Sequence, residues 1–140
     1  MKLPAYKHTA QYYETDQMGI IHHSNYIRWF EEARVYRMDQ MGVGYVRMEA
    51  EGIMSPVLEV NCEYKSMTRF GDTVDIYTHI RKYDGICLEL EYEVKDHTTQ
   101  ELRCKGSSRH CFMERESGHL VSLKRSRPKF HELFMKEIEE

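Results

Sequence analysis

Tyr13-Glu14-Thr15-Asp16-Gln17-Met18-Gly19-Ile20-Ile21-His22-His23-Ser24-Asn25-Tyr26 decides how this chain is read. On its N-terminal side, residues 5–13 alternate. Tyr6, His8, Ala10 and Tyr12 oppose Lys7, Thr9, Gln11 and Tyr13. A period of two is the pattern of a strand. On the other side the period lengthens. Tyr26, Ile27, Trp29, Phe30, Ala33, Tyr36, Met38 and Met41 share one arc at helical spacing, which predicts a helix over 24–41. The arc spans about 200°, broader than a surface helix needs, so this helix is expected to be largely enclosed. Arg34 and Arg37 interrupt it, as long cationic side chains do when their stems lie on apolar surface. The stretch is a strand-to-helix junction carrying a carboxylate, a glycine and two histidines.

Downstream, Gly42 and Gly44 stop the helix, and residues 45–51 add a short helical turn. Strands then follow one another. Leu58, Val60, Cys62 and Tyr64 alternate with Glu59, Asn61 and Glu63, and Pro56 places the start of that strand at an edge or bulge. Val74, Ile76, Thr78 and Ile80 form the next, and Asp84-Gly85 is a hairpin turn. Ile86, Leu88, Leu90, Tyr92 and Val94 face away from Glu89, Glu91 and Glu93. A long strand is expected near 101–114 and a short one at 119–123. Pro128 opens a last helix with Phe130, Leu133, Phe134 and Ile138 on one side. The expected architecture is α+β. An antiparallel meander curves around the one helix broad enough to cover it.

The totals agree with one domain over 1–140, at 41% hydrophobic and 31% charged residues. A net charge of −3 gives no whole-molecule field for nucleic acid. No apolar run reaches the roughly 18 residues of a membrane span, and the N-terminus lacks a signal-peptide core. Cys62, Cys87, Cys104 and Cys111 have no CxxC spacing and read as free thiols of a reducing cytoplasm. Paired Cys/His spacing and HExxH are absent, so no metal or other cofactor is expected, nor is a GxSxG nucleophile elbow present.

The opening stretch resembles the signature of the 4-hydroxybenzoyl-CoA thioesterase family. It is especially similar to the bacterial acyl-CoA thioesterase branch associated with the Tol–Pal gene cluster. Glu31, Ala33 and Arg34, and Arg69-Phe70-Gly71-Asp72, extend the likeness. The resemblance implies a hotdog fold and a homodimer or homotetramer whose active sites form where protomers join their sheets.

It also implies roles. Asp16 matches the family's carboxylate, which either attacks the thioester carbonyl to form a mixed anhydride or activates a water as general base. The family's carbonyl-polarising backbone N–H falls on His23, at the start of the helix, where unpaired amides and the helix dipole favour negative charge. The His23 imidazole is a second candidate at the same place. Gly19, Ile20, Ile21 and Tyr26 are expected along the substrate path, with a plain turn as the alternative for Gly19 and packing for Tyr26. His22 stands where the branch often has tyrosine and carries no assigned chemistry. A tunnel beside the helix from Tyr26 to Met41 would take the acyl group. Related sequences often carry a basic residue where Asp84 stands. Arg81, Lys82 and the Lys124-Arg125-Ser126-Arg127 cluster are the alternatives for gripping the CoA phosphates. A hotdog dehydratase acting on hydroxyacyl thioesters and a non-catalytic acyl-binding module are the competing functions.

Overall fold

The computed structural model describes residues 4–139. Strand β1 (Tyr6–Thr9) is shorter than the alternation over 5–13 predicts. Past Thr9 the chain leaves the sheet and winds into a 3-10 turn at Tyr12–Glu14. The cause is local: the Glu14 carboxylate reaches back and accepts the Gln11 amide at 2.8 Å.

Helix α1 (Ser24–Met41) has the bounds read from its periodicity. It stops where Gly42 turns left-handed at φ 89°, its N–H donating to the Met38 and Asp39 carbonyls. Its buried stripe is not quite the predicted arc. Ile27 is exposed, whereas Asn25 and Arg34 are buried. Helix α2 (Tyr45–Ala50) follows.

Next come β2 (Ile53–Met54), β3 (Val57–Tyr64), β4 (Thr73–Tyr83), β5 (Cys87–Asp96) and β6 (Leu102–Cys111). The five-stranded antiparallel sheet runs β1-β4-β5-β6-β3. Only β4, β5 and β6 form the expected meander. Strand β3 lies beside β6 at the far edge, and residues 65–72 cross back over the junction. The Thr68 carbonyl takes the Ile21 amide at 2.8 Å, and Ile20 bridges Arg69. The crossing therefore clamps the junction loop.

The helix lies against the sheet through Trp29, Phe30 and Ala33, opposite Val74, Ile76, Leu90, Tyr92, Val94 and Cys104. Phe30 stacks on Tyr92 with ring centroids 4.4 Å apart. Gly106 is required beneath it, because a Cβ there would collide with the Phe30 ring and the Asn61 carbonyl. An antiparallel sheet wrapped on one long helix is the hotdog, α+β arrangement.

The C-terminal part departs from expectation. The strand predicted over 101–114 breaks at Phe112, and β7 (Met113–Glu114) leaves the main sheet to pair with β2. At 119–123 only Leu120 bridges Met113, and α3 (Leu123–Ser126) begins where strand was predicted. Helix α4 (Pro128–Glu139) starts at Pro128 and buries Phe130 and Phe134. No helix among the described residues is long and apolar enough to cross a membrane.

Candidate active site

The junction folds into a small closed loop. Thr15 bridges Ile21, the Asp16 amide donates to the Ile20 carbonyl at 2.9 Å, and the Gly19 amide returns to the Asp16 carbonyl at 3.0 Å. Gly19 has φ 76° with nothing within 4 Å of a built Cβ. Its requirement is conformational, not steric. The Asp16 carboxylate caps this turn through Oδ1, which accepts the Met18 amide at 2.8 Å. Among the described residues Oδ2 accepts no hydrogen bond. One oxygen is thus held and the other has no partner among the described residues.

The Asp16–Ile20 bond also shortens the route to the helix, since Ile20 is only three residues from His23. At the helix start the His22 ring turns back. Its Nδ1 accepts the Ser24 amide at 3.2 Å and pairs with the Ser24 hydroxyl at 2.9 Å. The Asn25 amide donates to the His22 carbonyl. The His23 amide, by contrast, donates to nothing among the described residues, so it is free to meet a ligand. The His23 ring stacks on His22 at 4.2 Å. Its carbonyl accepts the Tyr64 hydroxyl from β3 at 3.1 Å.

Asp16 and His23 therefore share one exposed loop. Ile20 is half-buried on it. Ile21 and Tyr26 are core residues, each 3% exposed. Tyr26 packs edge-on to Trp29 and Tyr64, so packing is the role its surroundings give it.

Sequence reasoning passed over the foot of the junction. Glu14 is only 5% exposed. Its carboxylate accepts the Trp29 indole N–H at 2.7 Å and the Gln11 amide, and pairs with His8 Nε2 at 3.0 Å. Its carbonyl takes the Asn25 side chain and the His22 amide. Burial alone would raise its pKa, but the bonds from His8, Gln11 and Trp29 outweigh burial and hold it below the ordinary value. Glu14 thus sews the loop to α1. The capping reach to Gln11 is the one part of this that a sequence signal, a carboxylate three residues on, could have revealed.

A second polar group was also missed. Arg34, 7% exposed, donates to the Tyr45 hydroxyl at 2.9 Å and the Tyr92 hydroxyl at 3.1 Å. Tyr92 continues to Ser108 at 2.6 Å, and Ser108 to His110 Nε2 at 2.7 Å. Burial, then the nearby Arg34 charge, pushes the His110 pKa down to about 4. Arg34 does not reach for solvent as a snorkelling side chain would.

A cavity of about 830 Å³ flanks the C-terminal half of α1, lined by Ala33, Tyr36, Arg37, Thr78, Ile80 and Lys95 among others. It follows the side of the helix where an acyl tunnel was expected. Neither Asp16, His23, Gly19, Ile20, Ile21 nor Tyr26 lines it. Asp84 is a turn former: its Oδ1 accepts the Ile86 and Cys87 amides at 2.9 and 2.7 Å. Among the basic candidates, Arg81 pairs with Glu91 and Arg127 with Glu51, while Lys82, Lys124 and Arg125 are exposed. No group of three or more His, Cys, Asp or Glu side chains among the described residues could hold a metal ion.

The fold and this loop together belong to one class of enzyme. The family model of the thioesterase-like superfamily matches residues 11–135, and the chain belongs to that superfamily. YneP of Bacillus subtilis, provisionally named an acyl-CoA thioesterase, is 33% identical over 127 residues, covering 91% of each chain. The acyl-CoA thioester hydrolase YbgC of Escherichia coli is 30% identical over 78 residues, 55% of this chain and 58% of that one. The crystal structure of a DHNA-CoA thioesterase from Staphylococcus aureus is similar with a TM-score of 0.89 at 33% identity, over 95% of this chain and 89% of that one. The protein is a thioester hydrolase.

Proposed function

We propose that the protein is a cytoplasmic acyl-CoA thioesterase of the 4-hydroxybenzoyl-CoA thioesterase type, close to the Tol–Pal-associated branch, and that it works without a cofactor as a homodimer or homotetramer. The observation that supports the site is that one clamped loop carries both an Asp16 oxygen and a His23 amide without a partner among the described residues. A thioester carbonyl seated against the His23 amide develops its negative charge toward a donor already in place. The positive end of α1 adds to that stabilisation. Asp16 Oδ2 then serves as the nucleophile or as the base for a water. Hydrolysis releases a carboxylic acid and the CoA thiol. Gly19, Ile20 and Ile21 shape the path of approach, and Tyr26 supports it from the core.

A second copy completes the site in this reading. Among the described residues the outer edge of β3 is unpaired, and Val57, Leu58, Val60 and Tyr64 are exposed along it. Tyr12, Tyr13, Met18 and Phe70 expose further apolar surface around the loop. A free edge with an apolar face is a ready place for another chain to pair. Pairing there would enclose a loop that stands open in one chain.

Thiol release from short, long, branched and aromatic acyl-CoAs tests the reading. Asp16→Asn is expected to lower release by about a hundredfold or more while circular dichroism and the oligomer mass stay as in the wild type. Near-normal release by the variant would sink the assignment. Single turnover in heavy-oxygen water separates the two roles: label in the Asp16 carboxylate marks the anhydride route, and label in the acid product alone marks the base.

A further inference from the structure

Two of the four thiols stand in contact beside the loop. Cys62 on β3 and Cys104 on β6 place their Sγ atoms 3.0 Å apart. Both are free, Cys104 fully buried and Cys62 half-buried. The register pairs Cys62 with Gly106 and Tyr64 with Cys104, so the two thiols meet on a diagonal. They lie on the face that packs against α1, next to the Gly106–Phe30 contact. Closing the gap to a disulfide needs a further approach of about 1 Å.

We propose that Cys62 and Cys104 form a reversible disulfide by exchange with the disulfide of the thiol that thioester hydrolysis releases, and that the closed form has low turnover. The link rests on the reading of CoA as the released thiol and of the His23 amide as the carbonyl's partner. Tyr64 provides the mechanical connection. It lies two residues along β3 from Cys62, about 6.7 Å at strand rise. Its hydroxyl holds the His23 carbonyl, and its ring touches His23 and Tyr26. A shift of β3 toward Cys104 therefore moves the support of the helix start.

The chemistry balances without a further reactant. The Cys62 thiolate attacks one sulfur of CoA disulfide. The CoA sulfur–sulfur bond breaks, and the first CoA thiol leaves with a proton. The Cys104 thiolate then attacks Cys62 Sγ, forming the protein disulfide and releasing the second CoA thiol with the second proton. The two cysteines are oxidised and one CoA disulfide is reduced. Cys62 is the sulfur suited to attack first. The hydrogen bond with Cys104 brings its pKa down to about 7 against burial, while the same bond pushes Cys104 up. The diagonal geometry also fits a labile bond. Diagonal Cα atoms in a sheet are roughly 7–8 Å apart, at or beyond the usual disulfide span of about 4.4–6.8 Å. A strained disulfide is easily reduced again.

The molecule contains its own control. Cys87 and Cys111 are directly opposite in register, yet their sulfurs make no contact within hydrogen-bond reach. The test incubates the wild-type protein with CoA disulfide, then maps peptides by mass spectrometry and measures acyl-CoA turnover before and after dithiothreitol. The expected result is a Cys62–Cys104 cross-linked peptide and a turnover loss of about tenfold to a hundredfold, restored by reduction. Cys62→Ser should abolish both the cross-link and the loss. Cys87→Ser with Cys111→Ser should keep both. Free Cys62 and Cys104 after incubation, a cross-link at Cys87–Cys111 in their place, or a Cys62–Cys104 cross-link with unchanged turnover would each overturn the proposal. The peptide map needs no activity and no folded variant, so its failure is distinct from failure of the Asp16 assignment.

Discussion

Two polar regions sit on the same helix and are finished differently. At the N-terminus of α1, Asp16 Oδ2 and the His23 amide have no protein partner among the described residues. Along the helix, Arg34, Tyr45, Tyr92, Ser108 and His110 form a chain of hydrogen bonds that ends inside the protein, at a buried His110 Nδ1 with no partner among the described residues. The same contrast recurs within the junction, between Asp16 and Glu14 two residues away. Glu14 spends both carboxylate oxygens on His8, Gln11 and Trp29. Most buried polar groups find their partners within the protein, so their bonds serve the fold. An open one keeps its capacity for a ligand. Where the open groups lie, not their type, separates the two regions: Asp16 and His23 stand on the loop, whereas His110 Nδ1, also without a partner among the described residues, is buried.

The largest effect should come from the open side. Asp16→Asn should lower turnover by about 10²–10⁴-fold, the usual contribution of a positioned acid–base group, and by more if Asp16 is the nucleophile. Its melting temperature should stay within a degree or two of wild type, because the amide oxygen can still accept the Met18 N–H. A large loss of stability with Asp16→Asn would break the contrast, since it would make Asp16 a second Glu14.

How far this division was legible depended on range. The bounds of α1 were readable because its periodicity is local and Gly42 ends it. The Asp84-Gly85 hairpin was readable for the same reason. Asp16 and His23 stood out through the resemblance of one contiguous stretch. Glu14 did not, because its partner Trp29 is fifteen residues away and nothing local announces that bond. Arg34 looked like a charge interrupting an apolar arc, and its partner Tyr92, with Ser108 beyond it, arrives only when β5 and β6 fold across it. The place of β3 beside β6 was hidden likewise. Strand alternation reports which face is buried but not which strand is the neighbour.

On the closed side the next effect is a pH dependence. His110 is held neutral in the fold, with a pKa of about 4 against an ordinary 6.5. The unfolded chain takes up the proton first, so stability is lost as pH falls from 6.5 toward 4. The loss is on the order of 3 kcal/mol. Urea unfolding of wild type across that window should show the fall, and His110→Gln should flatten it. An unchanged slope in the variant would remove His110 from the closed network.

Glu14→Gln should cost about 2 kcal/mol at neutral pH, because an amide offers one acceptor where the carboxylate offered two. The folded carboxyl lies below its ordinary value. Its contribution is therefore present above about pH 4.3 and is lost as pH falls through the depressed folded value. The stability gap between wild type and variant should shrink in acid. A gap that widens there would reverse the assigned sign. Gly19→Ala comes next, at about 1 kcal/mol, because φ 76° disfavours a side chain even where space is open. A neutral Gly19→Ala would mean that the loop can re-form with another backbone turn.

The smallest effect is the most discriminating. If His23 serves the carbonyl through its main chain, removing the imidazole leaves the donor in place. His23→Ala should then lower turnover only about threefold, less than 1 kcal/mol of barrier. The residual loss has a visible source, because the His23 ring stacks on His22 and borders Tyr64. Tyr64→Phe, which removes the bond to the His23 carbonyl and keeps the ring, should match that loss in kcat with little change in KM. The two substitutions together should do little more than either alone, since both loosen the same helix start. A loss of about a hundredfold for His23→Ala alone would be the size of a missing oxyanion donor. In that case the imidazole itself would belong to the open side, and the His23 amide would lose the role assigned to it.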